Sequence, residues 1–352
     1  MKKLKIAFVG TGGMGQMAHL SNYAVLGDLC EVTAIVEPRP QLAAMIAARY
    51  GIEQVYYDHL SLLENGGFDV IVAPQQYRKH SILIPDILRA GIPVLTEKPL
   101  CLTVEAGEEL VRLGEERQVL HMVGYHKRSD PAMEYAKACV QEWKQSGEFG
   151  QLRYIRISMP PGDWVAGADK PLMTEEPYPD GGWEPESSIF TEQQNLEYDS
   201  FVNYYIHQVN AIRFFLGEPY RLTFGDRSGV LLTGESASGV CVALEMAAYH
   251  TSIEWHETIL IAFDKGYLKI ELPAPLARQQ AGKVTIMTDN GQSPPAYTIP
   301  ILPNQSAMRK QAINFLAAIQ GTVQPPCTAK EALEDLKIAR DYIQLMSAYT
   351  SD

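Results

Sequence analysis

Residues 5–16 read KIAFVGTGGMGQ, and their reading decides the fold. KIAFV is a short unbroken apolar run, the pattern of a strand buried on both faces of a parallel sheet. Gly10-Thr11-Gly12-Gly13-Met14-Gly15 then matches GxGxxG, between that strand and a helical pattern over 14–26. The first glycine permits a tight turn, the second lets the backbone approach a pyrophosphate, and the third lets helix and strand pack closely. The free N–H groups of the helix start add hydrogen bonds and positive potential for phosphate. Gly10, Thr11, Gly12, Gly13, Met14 and Gly15 are therefore candidate dinucleotide-binding residues.

The next apolar run, VTAIVE (32–37), supports this. It ends in Glu37, about 20 residues past the loop, where an acid accepts from the ribose hydroxyls and repels a 2′-phosphate. That favours NAD. Arg39, two residues on, can pair with a phosphate, so NADP stays open.

Further runs at 55–57, 68–74, 92–99 and 119–126 alternate with helical patterns at 40–50, 59–65, 79–90 and 103–117. The alternation predicts a parallel sheet covered on both faces. After residue 126 the pattern changes. A helix at 131–145 leads into a strand, then into a long aperiodic stretch, 160–187, with Trp164 and Trp183. So long a loop inside a domain is functional or disordered, and its tryptophans favour an ordered lid over a site. A helix over 199–216 follows and stops at Gly217. Residues 220–300 alternate like antiparallel strands, and helices at 305–319 and 329–348 close the chain. The expected class is α/β: a Rossmann domain, 1–126, then an α+β substrate-binding domain, 127–352, with a large open, mostly antiparallel sheet. The last helix has room to pack back on the first domain.

Bulk properties set limits. The chain has 352 residues, which suggests two cores. A formal net charge of −12 argues against broad contact with a nucleic-acid backbone. Five scattered cysteines without a CxxC fit reduced thiols rather than disulfides or zinc, and no His/Cys/Asp cluster has metal-ligand spacing. Two lysines before an apolar run imitate a signal peptide, but the run ends in glycines and no cleavage site follows. No stretch has the length of a membrane span. The expectation is a soluble cytoplasmic protein.

Two stretches carry chemistry. IPVLTEKPL (92–100) runs a buried strand into Glu97-Lys98-Pro99, at the strand end that faces the ligand crevice of an open α/β sheet. Pro99 keeps Lys98 extended. NYYIHQVN (203–210) places Asn203, His207 and Asn210 on one face of a single helix. Histidine is the natural proton shuttle at neutral pH.

GTGGMG, then APQQYRKHSILIPDILRAGIPVLTEKPL, then SGEFGQLRYIRI, then HQVNAIRFFLGEP resembles the Gfo/Idh/MocA oxidoreductases along nearly the whole chain. The resemblance implies a nicotinamide cofactor, substrates that are sugars, sugar acids or cyclitols, and a dimer or tetramer formed through the sheet face. It aligns Lys98 with the family's EKP lysine and His207 with its catalytic histidine. It implies an aspartate where this chain has Asn203, and another at Asn210. Asparagine hydrogen-bonds a hydroxyl but takes no proton from it. Tyr204 or Tyr205 is then a candidate to share the role. Pro74 and His80 match the loop beside the nicotinamide, joined by Glu97 and Lys98, with packing an equal reading for His80. Tyr125, His126, Lys127 and Arg128 fall where relatives contact substrate. Trp164, Trp183, Trp255 and His256 offer flat faces to a sugar ring.

The expected activity is NAD(P)-dependent dehydrogenation or reduction of a carbohydrate-like hydroxyl, with Lys98, His207, Asn203 and Tyr204 as the catalytic set. Two alternatives stand beside it. One is transient oxidation with bound NAD that permits elimination of a substituent. The other is a dinucleotide- and sugar-sensing regulator without turnover, for which the missing aspartate is the argument.

Overall fold

Strand β1, Leu4–Val9, lies at the middle of a six-stranded sheet in the computed structural model, which describes residues 3–179 and 181–348. Its partners are β2, Cys30–Val36, and β4, Val70–Ala73. Outward from these lie β3, Gln54–Tyr56, on one side, and β5, Val94–Thr96, and β6, His121–Val123, on the other. The order is 3-2-1-4-5-6 and every pairing is parallel. This is the doubly wound Rossmann order, which reverses direction between β1 and β4 and opens its crevice there.

The covering helices follow from the sequence pattern. A π-helical turn, Gly15–Leu20, continues into α1, Ser21–Tyr23. Then come α2, Pro40–Tyr50, α3, His59–Asn65, α4, His80–Arg89, and α5, Val104–Arg117. Asp58 and Thr103 cap α3 and α5 by accepting from N–H groups of their first turns. Ile6, Phe8, Leu20, Ile35, Leu42 and Ile46 form the heart of the core.

The second sheet has eight strands: β7, Leu152–Ser158, β8, Tyr220–Gly225, β9, Leu231–Ser236, β10, Cys241–Glu245, β11, Thr258–Phe263, β12, Gly266–Glu271, β13, Lys283–Thr288, and β14, Ala296–Thr298. Its order is 14-13-12-11-7-10-9-8, and only the β7–β10 pairing is parallel. Alternate residues are buried, so one face is covered and the other is open. Helices α6, Pro131–Ser146, and α8, Ile206–Leu216, pack against it. The remaining helices are α7, Glu192–Tyr204, α9, Ala307–Ile319, and α10, Ala329–Ala348.

Three features differ from the sequence reading. A single cut at residue 126 does not describe the packing. One unit comprises 1–125, 168–199 and 311–336, and the other 126–167, 200–310 and 337–352. Ala312, Phe315 and Leu316 of α9 complete the Rossmann core, and Thr328 bridges to Met122 at the free edge of β6. The lid stretch is divided too: Trp164 belongs to the second unit and Trp183 to the first. Finally, 199–216 is not one helix. It breaks at Tyr205, the N-cap of α8, whose φ −100°, ψ −2° is stretched from ideal helical values but stays in the right-handed region. Two tyrosines followed by a β-branched isoleucine lose side-chain freedom in a helix and weaken it there.

Asp130 caps α6 and also accepts from the Gly282 N–H at 3.0 Å. Burial is the main cause that lifts its carboxyl to about 6, against the Ala132 and Gly282 N–H groups, which favour the charge. The folded chain therefore holds this proton more tightly than the unfolded chain. The resulting stability is full below about pH 4 and is lost as the pH rises through about 6. Asp130→Asn keeps a good cap. Urea unfolding of wild type and variant should show their stability difference changing by about 2–3 kcal/mol between acid and neutral pH; a constant difference contradicts the assignment.

Candidate active site

The carboxyl edge of the first sheet gathers the residues that the glycine pattern pointed to. Gly10 has φ +103°, which suits glycine alone. A Cβ on Gly15 would lie 2.7 Å from the Gly10 carbonyl oxygen and 3.2 Å from Pro74 Cγ, so the third glycine is where helix, loop and β4 touch. A Cβ on Gly12 would meet nothing within 4 Å. The loop is thus open at Gly12, a cradle that a side chain there would fill.

Beside it, Thr11 and Glu37 are both buried, and the threonine hydroxyl donates to Glu37 Oε2 at 3.0 Å. Arg39 Nε donates to the other carboxylate oxygen at 2.6 Å. Glu37 raises the Arg39 pKa, so the guanidinium stays charged and committed to this pair. These residues fit a dinucleotide: the loop 10–15 would hold its pyrophosphate and Glu37 its ribose, and the bound nicotinamide would supply hydride chemistry.

Glu97-Lys98-Pro99 follows β5 directly, with the Lys98–Pro99 peptide cis and Lys98 half-buried. The Glu97 carboxylate receives the Lys98 N–H at 3.1 Å and pairs with His19 Nε2 at 2.5 Å. Sequence reading missed His19. The signal was its spacing of four from Gly15, which turns it to the inner face of the first helix.

His80 lies in the packed interior beside the loops after β4 and β5. Its ring is fully buried, with Nδ1 at 2.9 Å from the Leu100 carbonyl and Nε2 at 3.3 Å from that of Gln75. Burial lowers its pKa against these contacts, which keeps it neutral. With its ring nitrogens at the Leu100 and Gln75 carbonyls, the neutral His80 donates to one of them and braces the loops after β4 and β5.

In the second unit, His207 is buried on α8 and meets the His126 ring edge-on at 4.6 Å between centroids. Asn210 accepts from Arg128 Nε at 2.6 Å. Lys127 is sunk against Glu257, which also accepts from Gln208 at 2.7 Å and from the Trp255 indole at 3.3 Å. Burial lowers the Lys127 pKa and Glu257 opposes the fall. His126, Lys127, Asp130 and Glu257 line a pocket with Leu272 and Pro273.

Asn203 is exposed in the last turn of α7, whereas His207 and Asn210 are buried on α8 beyond the Tyr205 break. Tyr204 is half-buried and its hydroxyl accepts from the Gly162 N–H at 3.4 Å. Tyr205 packs on Phe201 and Tyr204. Tyr125 is buried, Trp164 is 39% exposed, and His256 lies at the surface against Tyr249 and Glu254. Among the described residues no group of three or more His, Cys, Asp or Glu side chains is placed to hold a metal.

Segment 168–199 was the larger omission. It crosses residues that follow β1, β2, β4 and β5. Leu172 exchanges two main-chain hydrogen bonds with the Gln16 amide, at 2.8 and 3.0 Å. Glu176 accepts from the N–H groups of Gln41 and Leu42 at the start of α2, at 2.9 and 3.0 Å. The Tyr178 hydroxyl donates to Gln75 at 3.2 Å, and its ring lies against the Arg39 and Lys79 cations. Trp183 takes Lys79 on its face at 4.5 Å, and Glu184 accepts from Leu102 and Thr103.

A phosphate-binding glycine loop, a buried acid after β2 and a lysine after β5, on a sheet of this order, define a dinucleotide-dependent oxidoreductase. Residues 4–125 match the family model described as an oxidoreductase family with an NAD-binding Rossmann fold, Gfo/Idh/MocA. Levoglucosan dehydrogenase of Pseudarthrobacter phenanthrenivorans is 28% identical over 179 residues, 49% of this chain and 44% of that protein. Inositol 2-dehydrogenase of Rhizobium meliloti is 23% identical over 351 residues, 94% of each chain. The crystal structure of aldose-aldose oxidoreductase from Caulobacter crescentus has a TM-score of 0.72 at 16% identity, covering 99% of this chain and 98% of that one. Over residues 4–125 the chain is similar to the Gfo/Idh/MocA oxidoreductases, and it is an NAD(P)-dependent enzyme.

Two glycines separate binding from folding. Gly12→Val fills open space, so it should leave the melting temperature nearly unchanged while weakening NAD⁺ binding at least ~10-fold by blocking backbone approach. Gly15→Ala strikes the Gly10 carbonyl and should lower the melting temperature as well. Titration calorimetry and thermal unfolding check both, and tight NAD⁺ binding by Gly12→Val would contradict the cradle.

Proposed function

We propose that the enzyme transfers hydride between the nicotinamide and a hydroxyl of a sugar, sugar acid or cyclitol. The observation that carries this reading is the placement of Lys98. It follows β5 at the carboxyl edge of the same sheet whose β1 end carries the phosphate loop. An ammonium there can stabilise the negative charge that develops on an oxygen as its carbon loses hydride. His207 takes the hydroxyl proton. Asn203 and Tyr204 serve as hydrogen-bonding partners of the substrate rather than as bases, since an amide accepts no proton at neutral pH.

In the same reading the second unit, built on the eight-stranded sheet, binds substrate. His126 orients His207 through their edge-on contact, Trp164 presents an apolar face to the ring, and Lys127 holds Glu257 in place. Inositol 2-dehydrogenase and levoglucosan dehydrogenase among the relatives support a polyhydroxylated ring as the substrate class. Five cysteines that form no disulfide among the described residues support a reducing, cytoplasmic setting, and the open sheet face supports a homo-oligomer.

Lys98→Ala and His207→Ala should each lower kcat by at least ~10²-fold, the usual range for a lost acid–base or charge-stabilising group. Their NAD⁺ affinity should stay within a few-fold of wild type. Steady-state kinetics with the accepted polyol, beside equilibrium NAD⁺ binding, checks this; near-normal turnover in either variant removes that residue from the mechanism.

A further inference from the structure

Helix α2 begins without a cap of its own. Arg39 stands at the N-cap position with no side-chain cap hydrogen bond, Pro40 opens the helix, and the free N–H groups belong to Gln41 and Leu42. In a Rossmann domain these groups sit just past the acid that holds the adenosine ribose. They and a nearby arginine are what a 2′-phosphate uses. Here both are already engaged. Glu176 arrives from 134 residues away and places one carboxylate oxygen on each N–H, at 2.9 and 3.0 Å. Thr174 donates to the same carboxylate at 2.9 Å. Arg39 is held by Glu37 on one side and covered by the Tyr178 ring on the other, 5.2 Å from its centroid.

We propose that Glu176 is a specificity-determining residue that occupies the place of a 2′-phosphate with the chain's own carboxylate, and so rejects NADP and selects NAD. The resting charge of the pocket is then complete without the cofactor. A 2′-phosphate would have to expel a hydrogen-bonded carboxylate and meet Glu37 behind it. A bare 2′-hydroxyl has no quarrel with either, because Glu37 accepts from it.

This is a role distinct from that of Glu37. Glu37 is placed by its own strand, whereas Glu176 belongs to the segment 168–199. The leverage of Glu176 therefore depends on that segment staying docked through Leu172 on Gln16 and Tyr178 on Gln75. The inference rests on dinucleotide binding and not on the proposed substrate or on Lys98 and His207.

The test is equilibrium binding of NAD⁺ and NADP⁺ to the full chain, by titration calorimetry, for wild type, Glu176→Gln and Glu176→Ala. Wild type should prefer NAD⁺. Both variants should bind NADP⁺ at least ~10-fold more tightly than wild type, because a like charge near the phosphate is removed, while NAD⁺ affinity shifts less than ~3-fold. Glu176→Gln keeps the shape and can still accept from an N–H, so it separates charge from folding. Three results would overturn the proposal: wild type that binds both cofactors equally, variants whose preference equals that of wild type, or equal losses for both cofactors, which would make Glu176 a structural cap only. None of these readouts requires turnover, so failure of the polyol reading leaves the result intact.

Discussion

The close approach of Gly15 to the Gly10 carbonyl is the constraint on which the cofactor half depends. Only a hydrogen fits between them, so the first helix can lie directly on the end of β1. That contact aims the helix start at the mouth of the sheet and brings Pro74 against the loop from β4. Once the loop is fixed, Thr11 points inward and its hydroxyl orients the carboxylate of Glu37. The acid is then held ready for a ribose rather than left to swing. His19, one turn further on, reaches the carboxylate of Glu97 and ties the first strand's helix to the strand end that carries Lys98.

The second unit solves a different problem. Its buried charged groups include partnered sets: Lys127 with Glu257, which also takes Gln208, and Arg128 with Asn210. A buried charge is costly unless it is paired and hydrogen-bonded, which explains why the run His126-Lys127-Arg128 survives inside a core. Asn210 is informative here. An aspartate in its place would form a charged pair with Arg128, whereas the amide oxygen gives a hydrogen bond with one formal charge. The helix carrying His207 is thereby seated by a neutral partner.

Much of this was legible from local pattern. The parallel runs, the glycine loop, Glu37 and the lysine after β5 depend on residues close in sequence, where periodicity and turn chemistry carry the information. The single-helix reading of NYYIHQVN failed because helical spacing assumes an unbroken helix. The weak point at Tyr204-Tyr205-Ile206 sits between the residues being compared, Asn203 exposed before it and His207 buried after it. For His80 the motif left packing and cofactor contact open, because burial, which local pattern does not show, decides what an imidazole meets. The docking of 168–184 had no local signal at all. Proline and glycine suppress periodicity there, and the contacts of Glu176 with Gln41 and Leu42 join residues far apart in the chain. Its two tryptophans marked the stretch as ordered but could not say which unit each would join.

The central claim is that this chain moves hydride to and from a polyhydroxylated ring. It is tested most directly by mixing the protein with NAD⁺ at comparable concentrations, adding sugars, sugar acids and cyclitols one at a time, and following the near-ultraviolet absorbance of reduced nicotinamide. Stoichiometric concentrations register a cofactor that stays bound as well as one that leaves. The account predicts reduction by at least one cyclic polyol, with a deprotonation-linked rise in rate as the pH increases. NAD⁺ that binds in the same samples yet is reduced by none of them would contradict it.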